Sequence, residues 1–299
     1  MFRHLPPAAT PLTFVQWRAG WLAPRPGQTP FLEQLAAYLP APAGYTAASG
    51  RAALYTLLKA ICRYRDRPER KEILLPAYTC PALIQVILDL DLLPVLVDVL
   101  PETLDFRPDE LLAHLHRRTL AVIYVHPFGL PQPVYQVLDA AHAVGAVVIE
   151  DAAQALGAGL RGRPVGTWGD FGLFSLGPGK AMSVGGGGVV CANHAFQLPV
   201  LAAAWKTLPR PGWAASFLAQ WRLAALSLAF RPAGWWLANR VGARRFGNSE
   251  IGRGYRVRGL STAQERVAGA LFPLLADING IRQANAQRLL RGISGSRQV

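Results

Sequence analysis

Two apolar runs, each ending in an ionisable side chain, constrain this sequence most. Residues 147–154 read VVIEDAAQ, so the first run leads into Asp151. Residues 174–180 read FSLGPGK, so the second leads into the glycine-flanked Lys180. The carboxyl ends of parallel strands meet at one edge of a sheet, where open α/β folds bind ligands. We therefore predict that Asp151 and Lys180 share a ligand site at such an edge.

An aspartate facing a lysine is the pair that pyridoxal 5'-phosphate (PLP) requires. The aldehyde of PLP forms a Schiff base with a lysine amine, and a carboxylate keeps its pyridinium nitrogen protonated. Only four of the 31 basic residues are lysines, so this chain usually obtains positive charge from arginine. Lysine can form a Schiff base and arginine cannot. A lysine in a glycine-rich turn at a strand end is therefore a strong candidate for the cofactor site.

The hydrophobic pattern predicts an α/β fold. Strands are predicted at residues 73–75, 95–99, 120–125, 146–149, 171–176 and 189–192, with a glycine-rich hairpin at 157–169. Helices are predicted at residues 31–39, 50–61, 82–93, 109–116, 134–144 and 260–290. Continuous apolar strands that alternate with helices are typical of a mostly parallel sheet with helices on both faces.

Small residues at the start of one predicted helix suggest an anion site. Ser49 and Gly50 precede two alanines, which predicts a helix N-cap whose free N–H groups and positive dipole end face a phosphate. On this motif alone, a plain capped helix is the favoured alternative. Ser175 is placed to donate to a phosphate, and Gln154 to bond the ring substituents. His126, at another strand end, is a candidate for the substrate pocket, although a lone histidine there is more often structural.

Charge and cysteine content exclude other classes. The net charge is +13. From residue 200 onward the sequence contains about fifteen lysines and arginines but only three acidic residues. No helix-turn-helix, zinc-finger or RNP motif accompanies this charge, so nucleic acid is not predicted as a partner. The three cysteines (Cys62, Cys80 and Cys191) fit neither a disulfide framework nor a zinc site, and no metal is predicted. A cytoplasmic protein with reduced thiols is expected, because no secretory signal or spanning segment is visible.

Residues 205–247 are rich in tryptophan and arginine and allow two interpretations. At helical spacing Trp213, Phe217, Trp221 and Leu228 share a face, with Arg222 opposite. One interpretation is a helix lying on an anionic membrane, which would make the protein membrane-peripheral. The other, which we favour here, is a helical insertion packed on the protein itself or on a partner subunit.

An ordered series of motifs resembles the DegT/DnrJ/StrS sugar aminotransferases, a branch of the fold type I PLP enzymes. The series comprises residues 49–54, 76–79, 97–104, 125–129, 150–155, 169–171, 175–180 and 185–188. The resemblance runs from about residue 30 to 200, with a weaker echo at 254–256. It implies a fold type I large domain, a homodimer with the site at the subunit interface, and transfer of an amino group, usually from glutamate, to a nucleotide-linked keto sugar.

The resemblance also assigns residue roles. Lys180 becomes the Schiff-base lysine, Asp151 the pyridinium partner, and Gln154 the neighbour of the ring hydroxyl. The residues expected to bind the phosphate are Ser49, Gly50, Arg51, Ala52 and Ser175. Some positions depart from the family pattern. Arg51 stands where threonine is common, Cys80 where an aromatic often stacks on the ring, so that Tyr78 is expected to serve, and Gly186 where an acid is frequent. Gly254 replaces an asparagine often supplied by the neighbouring subunit, for which Arg253 is the expected substitute.

The expected domain organisation has four parts. Residues 1–30 form an irregular N-terminal arm, 31–204 the PLP-binding large domain, 205–258 a basic, Trp-rich helical insertion, and 259–299 the start of a C-terminal domain that is otherwise expected to be missing. Two alternatives stay open: a catalytically silent relative that binds a partner or membrane, and a PLP enzyme of another reaction. Sugar dehydratases of the family carry histidine in place of the lysine, so Lys180 argues against that reaction.

Overall fold

A computed structural model describes residues 10, 12–22, 30–65, 67–240 and 254–296. The strands are β1 (Ala43–Ala47), β2 (Glu72–Pro76), β3 (Leu93–Val97), β4 (Thr119–Val125), β5 (Val147–Asp151), β6 (Gly159–Leu160), β7 (Arg163–Pro164), β8 (Phe171–Ser175) and β9 (Gly188–Ala192). The helices are α1 (Phe14–Ala19), α2 (Phe31–Tyr38), α3 (Gly50–Arg65), α4 (Pro81–Leu88), α5 (Pro108–His114), α6 (Leu138–Ala143), α7 (Leu198–Lys206), α8 (Trp213–Ala229), α9 (Pro232–Arg240), α10 (Thr262–Leu271) and α11 (Leu275–Ser296).

Seven strands form one mixed sheet in the order β1-β9-β8-β5-β4-β2-β3, and β6 and β7 form a separate hairpin. Neighbours among β3, β2, β4, β5 and β8 are parallel, whereas β9 runs antiparallel to both β8 and β1. This arrangement confirms the predicted mostly parallel α/β fold. It also brings the carboxyl ends of β4, β5 and β8 to one edge.

Helices cover both faces of the sheet, which explains the continuous apolar strands. Successive residues of β5 point to opposite faces. Ile149 therefore joins the core under α3 and α4, while Val148 joins the core under α5 and α6. Both side chains are fully buried. By the same alternation, the next two residues of β5, Glu150 and Asp151, point to opposite faces.

The predicted element boundaries fail at three places for identifiable reasons. Strand β1 has the mixed sequence AGYTA and was not predicted. The predicted helix 82–93 ends at Leu88, because Asp91 has a φ of 55° and Leu93 already belongs to β3. The predicted helix 260–290 is two helices separated by a 3-10 turn at Phe272–Leu274, where Pro273 lacks an N–H group.

The chain termini also differ from expectation. Residues 14–19 form α1 inside the segment predicted to be irregular. Helix α11 continues to Ser296, six residues beyond the end of the predicted helix at 290. Arg253 and residues 241–253 of the predicted insertion lie outside the described residues. Over the ranges given above, no helix has the length and apolar content needed to cross a bilayer.

Helix α8 has the predicted aromatic face, which contacts Trp17 and Trp21 but stays largely exposed. Its buried residues are Gln220, Leu223 and Leu226. Trp213 is 83% exposed and Trp221 is 51% exposed. Helix α8 contacts the body of the protein through its buried residues, and packing of the predicted insertion on a partner subunit stays a prediction.

A glycine at the junction of β9 and α3 provides a test of this packing. A methyl group at Gly188 would lie 2.5 Å from the Ser49 carbonyl oxygen and 2.7 Å from the Gly50 nitrogen, and both are backbone atoms. We expect Gly188→Ala to lower the free energy of unfolding by about 2 kcal/mol through overpacking, measured by urea denaturation.

The matched control is Gly280, which is exposed on α11 with no heavy atom within 4 Å of an added methyl group. Gly280→Ala should leave stability unchanged or raise it by about 0.5–1 kcal/mol, because alanine loses less backbone entropy in a helix. Equal effects of the two substitutions would contradict the close approach of β9 to α3.

Candidate active site

The sheet brings Asp151 and Lys180 to the same edge. Asp151 ends β5 and lies opposite Val125 of β4 and Leu173 of β8. Strand β8 ends at Ser175, and the turn that follows reaches Lys180, whose N–H donates to the Gly177 carbonyl at 3.3 Å. Lys180 is partly exposed, and its charge lowers the pKa of Asp151. The two residues therefore lie at one edge of the sheet, and their roles in a shared ligand site stay a prediction.

Asp151 is a buried carboxylate whose burial is only partly compensated. It is 6% exposed, and burial raises its pKa above the ordinary value of 3.8. The Ala153 N–H, which donates to Asp151 Oδ1 at 3.0 Å, opposes this rise, as does the charge of Lys180. A cationic N–H group beside such a carboxylate would stabilise its charged form. The protonated ring nitrogen of PLP is such a group, so Asp151 fits the predicted partner role.

The start of α3 lies beside the end of β8. Ser49 caps α3, since the Ala52 N–H donates to Ser49 Oγ at 3.1 Å, which confirms the predicted N-cap. Ser49 also forms an isolated bridge with Gly187. A methyl group at Gly50 would lie 3.7 Å from Ser175 Oγ. The serine hydroxyl and the first turn of a 16-residue helix thus come together around a glycine, as a phosphate cradle requires.

Arg51 and Ala52 are also predicted to bind the phosphate. The Arg51 guanidinium lies over the Tyr255 ring, 5.1 Å from its centroid, in the segment that carries the weaker family echo. Ala52 is fully buried, and its N–H is already bonded to Ser49. Gly254, at the position of the family asparagine, is exposed. The phosphate roles of Arg51 and Ala52 stay predictions.

Gln154 and Tyr78 belong to one group of loops at the same edge. Gln154 Oε1 accepts a hydrogen bond from the Phe128 N–H at 3.0 Å. Phe128 has a φ of 56°, a left-handed conformation uncommon for a residue other than glycine. The Tyr78 ring lies 6.1 Å from the Phe128 ring, and both rings are more than half exposed. Gln154 therefore holds the loop that carries Phe128, and the predicted stacking role of Tyr78 stays a prediction.

His126 is part of a buried network that the sequence reasoning missed. Its Nδ1 accepts from the Gln132 N–H at 3.0 Å, so its Nε2 donates to Glu150 Oε2, also at 3.0 Å. Glu150 and His126 are 0% and 1% exposed. Both ring nitrogens are thus occupied by the protein, and the predicted pocket role of His126 gains no support from this geometry.

Glu150 connects the strand end to the hairpin. Its carboxylate accepts N–H bonds from Gly166 and Gly169 at 2.8 Å each, and a further one from Trp168. These bonds fix residues 166–169, which lead directly into β8. The sequence offered one signal for this role, since Glu150 adjoins Asp151 in an alternating strand and must therefore be buried on the other face.

Helices α10 and α11 hold the lysine turn in place. Gln264 Nε2 donates to the Val184 and Gly186 carbonyls at 3.1 and 3.4 Å. Arg282 Nη1 donates to the Lys180 carbonyl at 3.3 Å. Gly187 belongs to the glycine run at residues 185–188, which follows Lys180. Its φ is 133°, a backbone conformation that favours glycine. Among the described residues no cluster of His, Cys, Asp and Glu could hold a metal ion.

The Glu150 network predicts a large stability cost for a small change. Glu150→Gln keeps the size of the side chain but turns part of an acceptor into a donor that faces N–H groups. We expect the free energy of unfolding to fall by about 3 kcal/mol, measured by urea denaturation. Glu102→Gln, at an exposed position, is the matched control and should change it by less than about 0.5 kcal/mol. Similar values for both would contradict the network.

Burial of Asp151 predicts a pH-dependent gain from its removal. The pKa of Asp151 is raised in the folded state, so the folded protein binds the proton of this carboxyl more tightly than the unfolded chain does. The contribution of Asp151 to the free energy of unfolding therefore falls as the pH rises above about 4. Asp151→Asn retains an acceptor for the Ala153 N–H. Without PLP, this variant should resist urea better than wild type at neutral pH, with an advantage that shrinks toward pH 4.

The exposed Asp109 supplies the control for this pH series, since its side chain is 75% exposed. Asp109→Asn should show no comparable pH-dependent gain over wild type. If Asp151→Asn were less stable than wild type at neutral pH, the assignment of a costly buried charge to Asp151 would be wrong.

Comparison with known proteins agrees with this geometry. The model of the DegT/DnrJ/EryC1/StrS aminotransferase family matches residues 15–215. One relative is the L-glutamine:scyllo-inosose aminotransferase of Streptomyces griseus, 37% identical over 124 residues, which are 42% of this chain and 29% of that enzyme. Another is the UDP-N-acetyl-3-dehydro-alpha-D-glucosamine 3-aminotransferase of Acidithiobacillus ferrooxidans, 35% identical over 153 residues, 51% of this chain and 40% of that one.

A solved structure with the same fold is the putative sugar aminotransferase Spr1654 from Streptococcus pneumoniae in its PLP form. It superposes with a TM-score of 0.67 at 19% identity, over 98% of this chain and 71% of the other. The stretches matched in the Streptomyces griseus and Acidithiobacillus ferrooxidans enzymes span less than half the length of each enzyme. Because the family model covers two thirds of its 299 residues, this chain belongs to the DegT/DnrJ/EryC1/StrS aminotransferase family.

Proposed function

We propose that this protein binds PLP and transfers an amino group, with glutamate as donor, to a keto sugar carried on a nucleotide. The observation that supports this most is the buried Asp151, whose pKa responds to Lys180 at the same sheet edge. Membership of an aminotransferase family supports the reaction class over the catalytically silent alternative.

The described residues fit PLP at three points. When bound, PLP supplies an aldehyde that links to amines and a protonated ring that withdraws electrons from the substrate carbon. Asp151 would hold the proton on the ring nitrogen, because its buried carboxylate has only one backbone N–H partner among the hydrogen bonds described here. Ser49, Gly50 and Ser175 would hold the phosphate through the start of α3 and a hydroxyl group.

Lys180 would provide the reactive amine. Its turn is fixed by Arg282 and by the bonds from Gln264 described above, so the side chain starts from a defined backbone position. In its neutral form, Nζ can remove a proton from the amine-bearing carbon of the donor, and in the second half-reaction its protonated form can deliver a proton to the carbon of the acceptor. Sugar dehydratases of the family carry histidine in place of this lysine. Lys180 therefore favours transamination over sugar dehydration.

The substrate class rests on the comparisons and on the family resemblance. One relative is named for a UDP-linked dehydro sugar, and another for scyllo-inosose. We propose nucleotide-linked sugars as the acceptor substrates, with a ketone as the group that receives the amine. It also includes a homodimer, as the family resemblance implies.

Borohydride reduction tests the cofactor assignment without relying on turnover. After incubation with PLP and reduction, peptide mass spectrometry should find the cofactor on Lys180, and the Lys180→Ala protein should carry none. Lys206→Ala, which removes an exposed lysine of α7, should be labelled like wild type. Absence of label, or label on another lysine, would overturn the proposed site.

Amino-donor turnover is the second arm of the same test. PLP-loaded protein should release 2-oxoglutarate from L-glutamate, and then aminate a nucleotide-linked keto sugar, detected by mass spectrometry. L-glutamine is tested in parallel because one relative is named for it. Protein that labels at Lys180 but deaminates neither donor would contradict the aminotransferase activity while leaving PLP binding intact.

A further inference from the structure

Helices α1 and α8 together expose a group of large aromatic side chains. This aromatic patch consists of Phe14, Trp21, Trp213, Phe217 and Trp221. Their exposed fractions are 69%, 39%, 83%, 48% and 51%, respectively. Contiguous exposed aromatic surface of this kind is unusual in soluble proteins and marks an interaction site.

The patch is held together as one surface by contacts between the two helices. Trp21 lies 5.3 Å from Phe217 and 6.5 Å from Trp221, and Trp17 lies 5.7 Å from Trp221, all with rings edge to face. Trp17 Nε1 also donates to the Gln220 carbonyl at 3.0 Å. The exposed rings are therefore positioned before any partner binds.

The packing of α8 explains why the patch faces outward. Leu223 and Leu226 are buried, and Leu223 lies 3.4 Å from a methyl group built on Gly185, in the glycine run after Lys180. The aromatic residues occupy the other side of the helix. The core of the fold thus uses one apolar side of α8, while the second side contacts Trp17 and Trp21 and stays largely exposed.

The two chain segments that form the patch carry charge of one sign. Residues 12–22 and 206–240 contain no aspartate or glutamate. They contain six basic residues: Arg18, Lys206, Arg210, Arg222, Arg231 and Arg240. All except Arg18 are exposed. Arg240 lies over the Trp236 ring at 4.1 Å, so basic and aromatic groups are interleaved on α9 as well.

We propose that this patch docks on the surface of an anionic lipid bilayer. Tryptophan rings favour the interface between headgroups and acyl chains, and arginine and lysine are attracted to anionic headgroups. A surface that combines both and contains no acid over two separate chain segments matches a continuous negative surface. This inference is independent of the proposed catalytic function, since it uses no residue of the candidate active site.

Docking in this way would orient the rest of the molecule. Helix α8 separates the aromatic patch from the glycine run that follows Lys180. The lysine turn would therefore lie one helix thickness above the headgroups. Helix α1, whose Phe14 belongs to the patch, would lie in the same plane as α8.

Vesicle sedimentation tests the proposal. The protein should sediment with vesicles of phosphatidylcholine mixed with phosphatidylglycerol, less with pure phosphatidylcholine, and less at high salt. The double variant Trp213→Glu/Leu218→Glu should bind at least about tenfold more weakly, because both residues are highly exposed and neither is part of the core.

A matched double variant controls for charge and for folding. Phe196→Glu/Leu112→Glu adds the same two charges at positions that are 65% and 55% exposed and far from α8 in the chain. It should bind mixed vesicles like wild type, and circular dichroism should show both double variants folded. Equal loss in the two double variants would overturn the proposal.

Three further results would also overturn it. Wild type could fail to sediment with either vesicle. It could bind pure phosphatidylcholine equally well, which would remove the role of anionic headgroups. Alternatively, light scattering could show an oligomer that dissociates in Trp213→Glu/Leu218→Glu, in which case a second copy of the chain covers the patch.

Discussion

Two adjacent buried carboxylates at the end of β5 determine how this site is built. Glu150 and Asp151 point to opposite faces of the sheet, so each meets a different environment. Glu150 accepts three backbone N–H bonds and one from His126, which satisfies its charge and fixes the hairpin before β8. Asp151 has one backbone N–H bond and a raised pKa. One acid therefore stabilises the fold, while its neighbour is left to favour a cationic partner.

Parts of the chain that are distant in sequence hold the opposite side of the site. Ser49 bridges to Gly187, Gln264 bonds the glycine run, and Arg282 bonds the Lys180 carbonyl. The lysine turn itself is short and glycine-rich, so its own residues define its conformation poorly. Contacts from α3, α10 and α11 supply that definition. The backbone of Lys180 is therefore held in place by the scaffold, which lowers the entropic cost of positioning its side chain.

The sheet, the cap of α3 and the placement of Asp151 and Lys180 at one sheet edge could be predicted from the sequence, because apolar periodicity and strand order determine these features. The hydrogen bonds of Glu150 could not, since these depend on where the hairpin folds back in three dimensions. Strand β1 was missed because AGYTA is short and partly polar. For α8, apolar residues occur on two sides of the helix, so periodicity could not show which side the core would use.

The position of β9 has a consequence for biosynthesis. Strand β1 has β9 as its only sheet neighbour among the described strands, although 140 residues separate Ala47 from Gly188. Strands β2 to β5, by contrast, neighbour one another and can associate in the order in which they leave the ribosome. The capped end of α3 cannot meet Gly187 until β9 has been synthesised. During translation this junction of α3 with Gly187 is therefore among the last parts of the sheet edge to form, and a nascent chain stalled before residue 187 would present α3 without it.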